Sequence, residues 1–279
     1  MLVFKRLVAF VVAGVAFVAA GGVAWAGLGE PSPWQIGLQE SASPVMDDIV
    51  WFHNFLLWLI AAIVLFVLVL LAIIVIRFNA RSNPTPSRTT HNTFIEIIWT
   101  VVPVLILVTV AVPSFRLLFY QLKVPPADLT VKVTGKQWFW SYSYPDQKIE
   151  FDSLLVQDKD LKPGQPRVIT ADEAMVVPVG KVIEVDVTSQ DVIHSFSVPS
   201  FGIKIDAIPG RLNKTWFKAD QVGMFYGQCS NICGIDHAFM PINVRVVSEA
   251  DYQAWLVQAK KEYAVSDGVD VASRPLAHP

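Results

Sequence analysis

From residue 54 to residue 76 the chain reads NFLLWLIAAIVLFVLVLLAIIVI, 23 residues without a charge. At about 1.5 Å of rise per residue, such a helix crosses a hydrocarbon core of about 30 Å. Residues 94–118 form a second apolar run containing Pro103 and Pro113, with Glu96 and Arg116 near its ends. A membrane helix tolerates such prolines because neighbouring groups re-satisfy the freed backbone. The connecting stretch 77–93 holds Arg77, Arg81 and Arg88 and no acid, so the positive-inside rule places it in the cytoplasm and both termini outside. The chain as a whole is 53% hydrophobic and 16% charged, with mean hydropathy +0.46, as expected when part of it sits in lipid.

Residues 1–26 carry Lys5 and Arg6, an apolar stretch from Leu7 to Ala20, and Ala24-Trp25-Ala26. This is the order of a secretory signal peptide with a small-residue cleavage site. The alternative, a third membrane helix, fits less well because the apolar run is short and broken at Gly21-Gly22. An exported N-terminus agrees with the topology read from the arginines. Residues 27–49 are then a periplasmic N-terminal segment, and 50–120 the two-helix anchor.

Beyond residue 120 the pattern changes to short β-rich runs at 129–134, 138–144, 174–178, 182–188, 213–217, 224–228 and 242–247. They are punctuated by turns such as Pro145-Asp146 and Pro209-Gly210. Strands at this spacing predict a sandwich or Greek-key barrel. A last helix over about 248–263 starts at a plausible cap, Ser248, and places Tyr252, Trp255 and Leu256 on one face. The expected architecture is thus a mixed one: a transmembrane hairpin, an all-β domain over 121–265 closed by a C-terminal helix, and a loose tail over 266–279. From 120 onward there are 19 Asp and Glu against 16 Lys and Arg, which points away from nucleic acid and suits a basic partner.

The chemistry concentrates in residues 227–241, Gly-Gln-Cys-Ser-Asn-Ile-Cys-Gly-Ile-Asp-His-Ala-Phe-Met-Pro. Cys229, Cys233, His237 and Met240 follow at intervals of four, four and three, and His194 lies upstream in Asp191-Val-Ile-His194. Thiolate, imidazole and thioether together select copper. Zinc would use two Cys and two His and leave Met240 idle; a Cys-x3-Cys disulfide would leave both histidines idle. Met175 and Met224 read as core residues.

These residues, with the strings at 88–100 (Arg-Thr-Thr-His-Asn-Thr-Phe-Ile-Glu-Ile-Ile-Trp-Thr), 137–142 (Gln-Trp-Phe-Trp-Ser-Tyr), 191–196 (Asp-Val-Ile-His-Ser-Phe) and 206–213 (Asp-Ala-Ile-Pro-Gly-Arg-Leu-Asn), make the chain resemble cytochrome c oxidase subunit II over 42–262. The resemblance implies a cupredoxin-like domain with a dinuclear CuA centre of two copper ions. Its ligands would be His194, Cys229, Cys233, His237, Met240 and the backbone carbonyl of Asn231. It implies electron input from a c-type cytochrome at Trp138, with Trp140 and Tyr142 as core aromatics, and docking acids at Asp152, Asp172 and Asp191. Ser143 stands where the family often has another acid. Glu96 matches the family's glutamate at the mouth of a proton path, and also reads as the fourth member of a capping box opened by Thr93.

Partners implied are oxidase subunit I, with haem a and haem a3-CuB, subunit III, and the lipid bilayer of a bacterial inner membrane. The family usually carries Glu at 231, whose carboxylate holds an interfacial magnesium. Asn231 is neutral, and a hard cation prefers carboxylate, so that ion is expected to be weakened or lost. Relatives that oxidise quinol lack the copper ligands, and nitrous oxide reductases lack the helical hairpin. A membrane-anchored periplasmic copper-delivery protein remains the alternative; it would need an exchangeable site and would have no use for Trp138 or Glu96.

Overall fold

The computed structural model describes residues 29–265. The signal peptide expected at 1–26 and the loose tail at 266–279 lie outside the described residues. Two long helices come first, α1 (Pro44–Arg77) and α2 (Thr93–Leu122). Their central windows have mean hydropathy 3.7 and 2.5, and no residue of either window is buried within this chain. A helix apolar on every face and packed against so little protein is built for lipid.

Both helices run further than their apolar cores. α1 begins ten residues before the charge-free run because Ser43 caps it, accepting from Met46 N at 3.1 Å, with Pro44 in the first turn. Pro suits the first helical position, where its missing N–H costs nothing. The extra turns dock Val45 and Met46 onto the β domain instead of entering the membrane. At the start of α2 the cap is Asn92, not Thr93. Its side chain accepts from Phe94 N and Ile95 N at 3.1 and 3.3 Å, and Glu96 Oε1 accepts from Asn92 N at 3.3 Å. The reciprocal bonding expected of Glu96 is present, shifted by one residue.

The β domain comprises β1 (Leu129–Lys136), β2 (Phe139–Tyr144), β3 (Ile149–Ser153), β4 (Met175–Pro178), β5 (Val182–Ser189), β6 (His194–Val198), β7 (Ile203–Ala207), β8 (Asn213–Lys218), β9 (Gly223–Cys229) and β10 (Pro241–Val247). One sheet has the order β3-β2-β1-β5-β8, the other β4-β10-β9-β6-β7. β1 pairs in parallel with β5 so that Leu129, Val131 and Val133 lie beside Ile183, Val185 and Val187, all buried. Alternation therefore sends one apolar face of this sheet inward. Phe201, Phe217 and Phe225 fill the centre, with ring centroids 4.6 Å apart in each of two pairs around Phe201. Each such buried ring contributes about 1.5–3 kcal/mol.

Three strands, β3, β6 and β7, escaped the sequence reading. Ile149-Glu-Phe-Asp-Ser, His194-Ser-Phe-Ser-Val and Ile203-Lys-Ile-Asp-Ala alternate as strands do, but their polar members are turn-formers or charges and each run is only five residues long. Trp138 lies just ahead of β2, in the two-residue turn that joins it to β1. Met175 is fully buried, whereas Met224 is only half-buried because β9 turns Phe225, not its neighbour, to the core.

α3 (Glu249–Glu262) closes the domain. Ser248 caps it, accepting from Asp251 N at 3.2 Å. Tyr252, Leu256 and Ala259 are buried beneath it, and Trp255 packs against Tyr144 at 5.2 Å.

Candidate metal centre

The chemistry-bearing residues meet at one end of the second sheet. His194 opens β6 and Cys229 closes β9, and these strands are neighbours with Phe196 opposite Cys229. The chain then loops through Cys233 and His237 and returns at Met240 into β10, where Pro241 pairs with Gln228. Four backbone bonds hold this loop: Cys229 N to Met240 O, Ser230 N to Ser195 O, His237 N to Gly234 O and Phe239 N to Asp236 O, at 3.3, 3.0, 3.3 and 2.9 Å. His237–Phe239 form a single short helical turn.

The two sulfurs are 3.8 Å apart and both cysteines are free, far from the ~2.05 Å of a disulfide. Each has its own imidazole: His194 Nδ1 lies 3.9 Å from Cys229 Sγ, and His237 Nδ1 lies 3.5 Å from Cys233 Sγ. Each also has a weaker donor, the Asn231 carbonyl oxygen at 3.3 Å from Cys229 Sγ and Met240 Sδ at 3.6 Å from Cys233 Sγ. The ligand atoms of His194, Cys229 and Cys233 all lie within 4.8 Å of one another. His194 and Met240 are fully buried, Cys229 and Cys233 nearly so, and His237 half-buried. Zinc leaves the thioether without a role; soft sulfur with imidazole is a copper set, and these residues fit one.

Electrostatics separates the two thiols. Burial pushes Cys229 up, but the His194 ring and the backbone at Asn231 and Ser195 outweigh it and bring it down to about 6. Cys233 is pushed up to about 12, by burial first and by the charge on Cys229 second. The two thiols titrate as a pair, the charge on one opposing ionisation of the other, and metal ligation needs both as thiolates.

His194 is oriented from behind. Its Nε2 lies 2.8 Å from Asp191 Oδ1, which leaves Nδ1 for the sulfur side, and ligand histidines generally need such a partner. Burial lowers the His194 pKa, but the bonds to Cys229 and Asp191 more than offset it, so the net direction is up. For Asp191, burial acts upward and is outweighed by bonds from His194, Val192 N and Gln137 N, so the carboxyl is held below its usual range. Gly135 makes room for the ring: a β-carbon there would lie 2.8 Å from His194 Cδ2.

Trp138 is half-buried beside the loop. A β-carbon on Gly234, whose φ is +136°, would lie 2.8 Å from Trp138 Cζ2. Trp140 and Tyr142 are fully buried core aromatics. The three acids read as docking residues each have local partners. Asp152 meets Ser141 Oγ and Lys136 Nζ, the latter at 3.6 Å; Asp172 accepts from Leu154 N and Glu173 N, both at 2.7 Å; Asp191 serves His194. Glu96 sits at the far end of the anchor, at the start of α2. Sequence reading assigned no role to Gln137, Gly135 and Gly234; their closeness to Trp138 and Cys233 was the one signal, and it does not show which distant residues Gln137 bonds.

Two family profiles match the chain: the transmembrane domain of cytochrome c oxidase subunit II over residues 31–117, and its periplasmic domain over 129–247. A Rickettsia bellii protein named "Probable cytochrome c oxidase subunit 2" is 51% identical over 245 residues, 88% of this chain and 91% of its own. The cytochrome c oxidase subunit 2 of Cereibacter sphaeroides is 48% identical over 251 residues, covering 84% and 83% of the two chains. Among solved structures, the periplasmic domain of subunit II from Bradyrhizobium japonicum is 62% identical, covering 51% of this chain and all of that one, with a TM-score of 0.48. An apolar two-helix anchor, a β domain and a soft donor set at its end thus coincide with whole-length relatives, and the chain belongs to the cytochrome c oxidase subunit II family.

Proposed function

We propose that this chain is the electron-receiving subunit of the oxidase. It takes electrons one at a time from a c-type cytochrome and delivers them to haem a of subunit I, where oxygen is reduced and protons are pumped. The observation that carries this reading is the pairing at the metal centre: two thiols 3.8 Å apart, each with its own imidazole nitrogen and its own weak donor. Such a set would hold two copper ions, with His194, Cys229, the Asn231 carbonyl, Cys233, His237 and Met240 as the ligands. When bound, the pair supplies a centre that gains and loses a single electron.

The chain's own residues do the rest. Asp191 fixes the His194 ring, the β6–β9–β10 frame holds the loop, and burial keeps water from both sulfurs. Burial of the ligands also argues against a copper-delivery role, which needs exchange. Trp138 is the electron-receiving side chain, lying against Gly234 at the protein surface. Around the loop, Ile232 and Ile235 are 83% and 85% exposed, a surface that suits a protein partner. Asp152, Asp172 and Asp191 would steer a basic cytochrome, an effect on association rate that salt screens. The arginines of the 77–93 loop support a copper domain on the periplasmic side, with Glu96 toward the cytoplasm as the mouth of a proton path. Asn231 leaves the interfacial magnesium site without its carboxylate.

The test is the order of reduction. On rapid mixing of the oxidase with reduced cytochrome c, the near-infrared band of the copper centre is expected to bleach before haem a is reduced. Reduction of haem a without that lag, or at the same rate after Cys229→Ser and Cys233→Ser, would contradict the reading.

A further inference from the structure

Trp138 Nε1 is buried and has no hydrogen-bond partner among the described residues. A buried indole N–H is ordinarily paired, and here the ring's own polar atom does not fix its position. What borders it is Gly234 of the ligand loop, with the preceding residue, Gln137, tied to the same loop. Gln137 is bonded at both ends: its backbone N donates to Asp191 Oδ2 at 2.6 Å, and its side-chain Nε2 donates to the carbonyl of Cys233 at 2.7 Å. The other oxygen of Asp191 holds His194 Nε2 at 2.8 Å. A β-carbon at Gly234 would lie 3.0 Å from both Gln137 Nε2 and Trp138 Nε1, so the amide and the indole pack against the same residue of the loop.

We infer that Gln137 is a positioning residue: it clamps the Trp138 turn to the Cys233-Gly234 backbone and, through Asp191, to His194, holding the electron-receiving ring in van der Waals contact with the ligand loop. The inference rests on the reading of Trp138 given above and extends it to a residue with no metal-binding chemistry. The side-chain bond spans 96 residues of sequence and the backbone bond 54, so each secures a contact that local structure could not. Their geometry joins three segments at one point: the β1–β2 turn, the turn before β6, and the loop after β9. Without the amide N–H, the turn keeps its bond to Asp191 but loses its tie to the loop, and the ring is free to lift from Gly234.

The experiment uses the assembled oxidase. Gln137→Met retains side-chain length and removes the donor. Two rates are measured in each variant: reduction of the copper centre by cytochrome c, and its reduction by a small ruthenium-amine complex that needs no docking surface. The expected result is a roughly tenfold fall in the ratio of the first rate to the second, the scale at which small misplacements of reacting groups act, with copper content and the KM for cytochrome c retained. Trp138→Leu should lower the same ratio at least as far. If it does and Gln137→Met does not, the clamp is wrong and the role of Trp138 stands; if Trp138→Leu leaves the ratio unchanged, the role of Trp138 falls and the clamp with it. A raised KM with an unchanged limiting rate would make Gln137 a docking contact, and loss of copper in both Gln137→Met and Gln137→Asn would make it a support of the ligand loop. Either result overturns the inference.

Discussion

Asp191 and Gly135 do at the residue scale what the ligands cannot do for themselves. Asp191 accepts from the His194 ring, Gln137 N and Val192 N, so Asp191→Ala strips the partner from a fully buried imidazole. Loss of such a supporting carboxylate typically lowers metal affinity by roughly 10- to 100-fold, and competition between the copper domain and a chelator of known affinity measures it. Gly135→Ala would press a β-carbon into the His194 ring at 2.8 and 3.0 Å; overpacking of this kind costs about 1–3 kcal/mol. The expected outcome is a lower melting temperature and substoichiometric copper, checked by calorimetry and metal analysis on the same sample. At Asn231, manganese exchanged into the oxidase should give a weak or absent bound signal in paramagnetic resonance, and Asn231→Glu should strengthen it; strong retention by the native chain would refute the neutral-amide argument. The spacing of Cys229, Cys233, His237 and Met240 made the ligand set legible because one loop carries it. Gln137 was illegible for the opposite reason: its value lies in bonds to residues far away in sequence.

Among the elements, α3 shows how a terminal helix is locked onto the sandwich. Trp255 lies against Tyr144 and Phe151 at 5.2 and 6.4 Å, and Tyr263 OH donates to Glu173 Oε1 at 3.0 Å. Burial raises the Glu173 pKa above its ordinary 4.5, with Asp172 and Glu262 adding to the effect and the Tyr263 bond working against it. A carboxyl raised on folding contributes stability that is complete below its unfolded value and is lost as pH rises through the folded one. Glu173→Gln, neutral throughout and still able to accept from Tyr263, should therefore melt higher than the parent at pH 7 and no higher near pH 4. A thermal-melting series across that range checks the sign. The elements that the sequence made plain were those with one dominant signal, the charge-free spans and the β-branched runs of β1 and β5. β3, β6 and β7 were hidden because Glu150, Asp152, Ser195, Ser197, Lys204 and Asp206 interrupt them. These residues are turn-formers or charges by type, and only the two-residue alternation of Ile203, Ile205 and Ala207 or Ile149 and Phe151 betrays a strand.

At the scale of the whole molecule, the anchor and the β domain are joined at two places rather than through a free linker. Before α1, Ala42 N donates to Ser200 O at 2.9 Å, Asp220 N donates to Ala42 O at 3.0 Å, and Ser43 Oγ donates to Phe201 O at 2.8 Å. After α2, Trp216 Nε1 donates to Gln121 O at 3.2 Å and its ring meets Tyr120 edge-on at 5.3 Å. Neither junction could be read from hydropathy, since both lie where the helices outrun their apolar cores. Trp216→Phe removes the donor and keeps most of the ring, so amide exchange around residues 121–123 should quicken while copper content holds. A fixed junction of this kind holds the metal centre at a set distance from the apolar helices. Whether Cys229 and Cys233 hold a pair of copper ions is tested by copper per chain together with the paramagnetic resonance spectrum of the oxidised copper domain. Two coppers per chain are expected, with hyperfine structure from one unpaired electron spread over two equivalent nuclei. One copper per chain with hyperfine structure from a single nucleus would contradict a paired site.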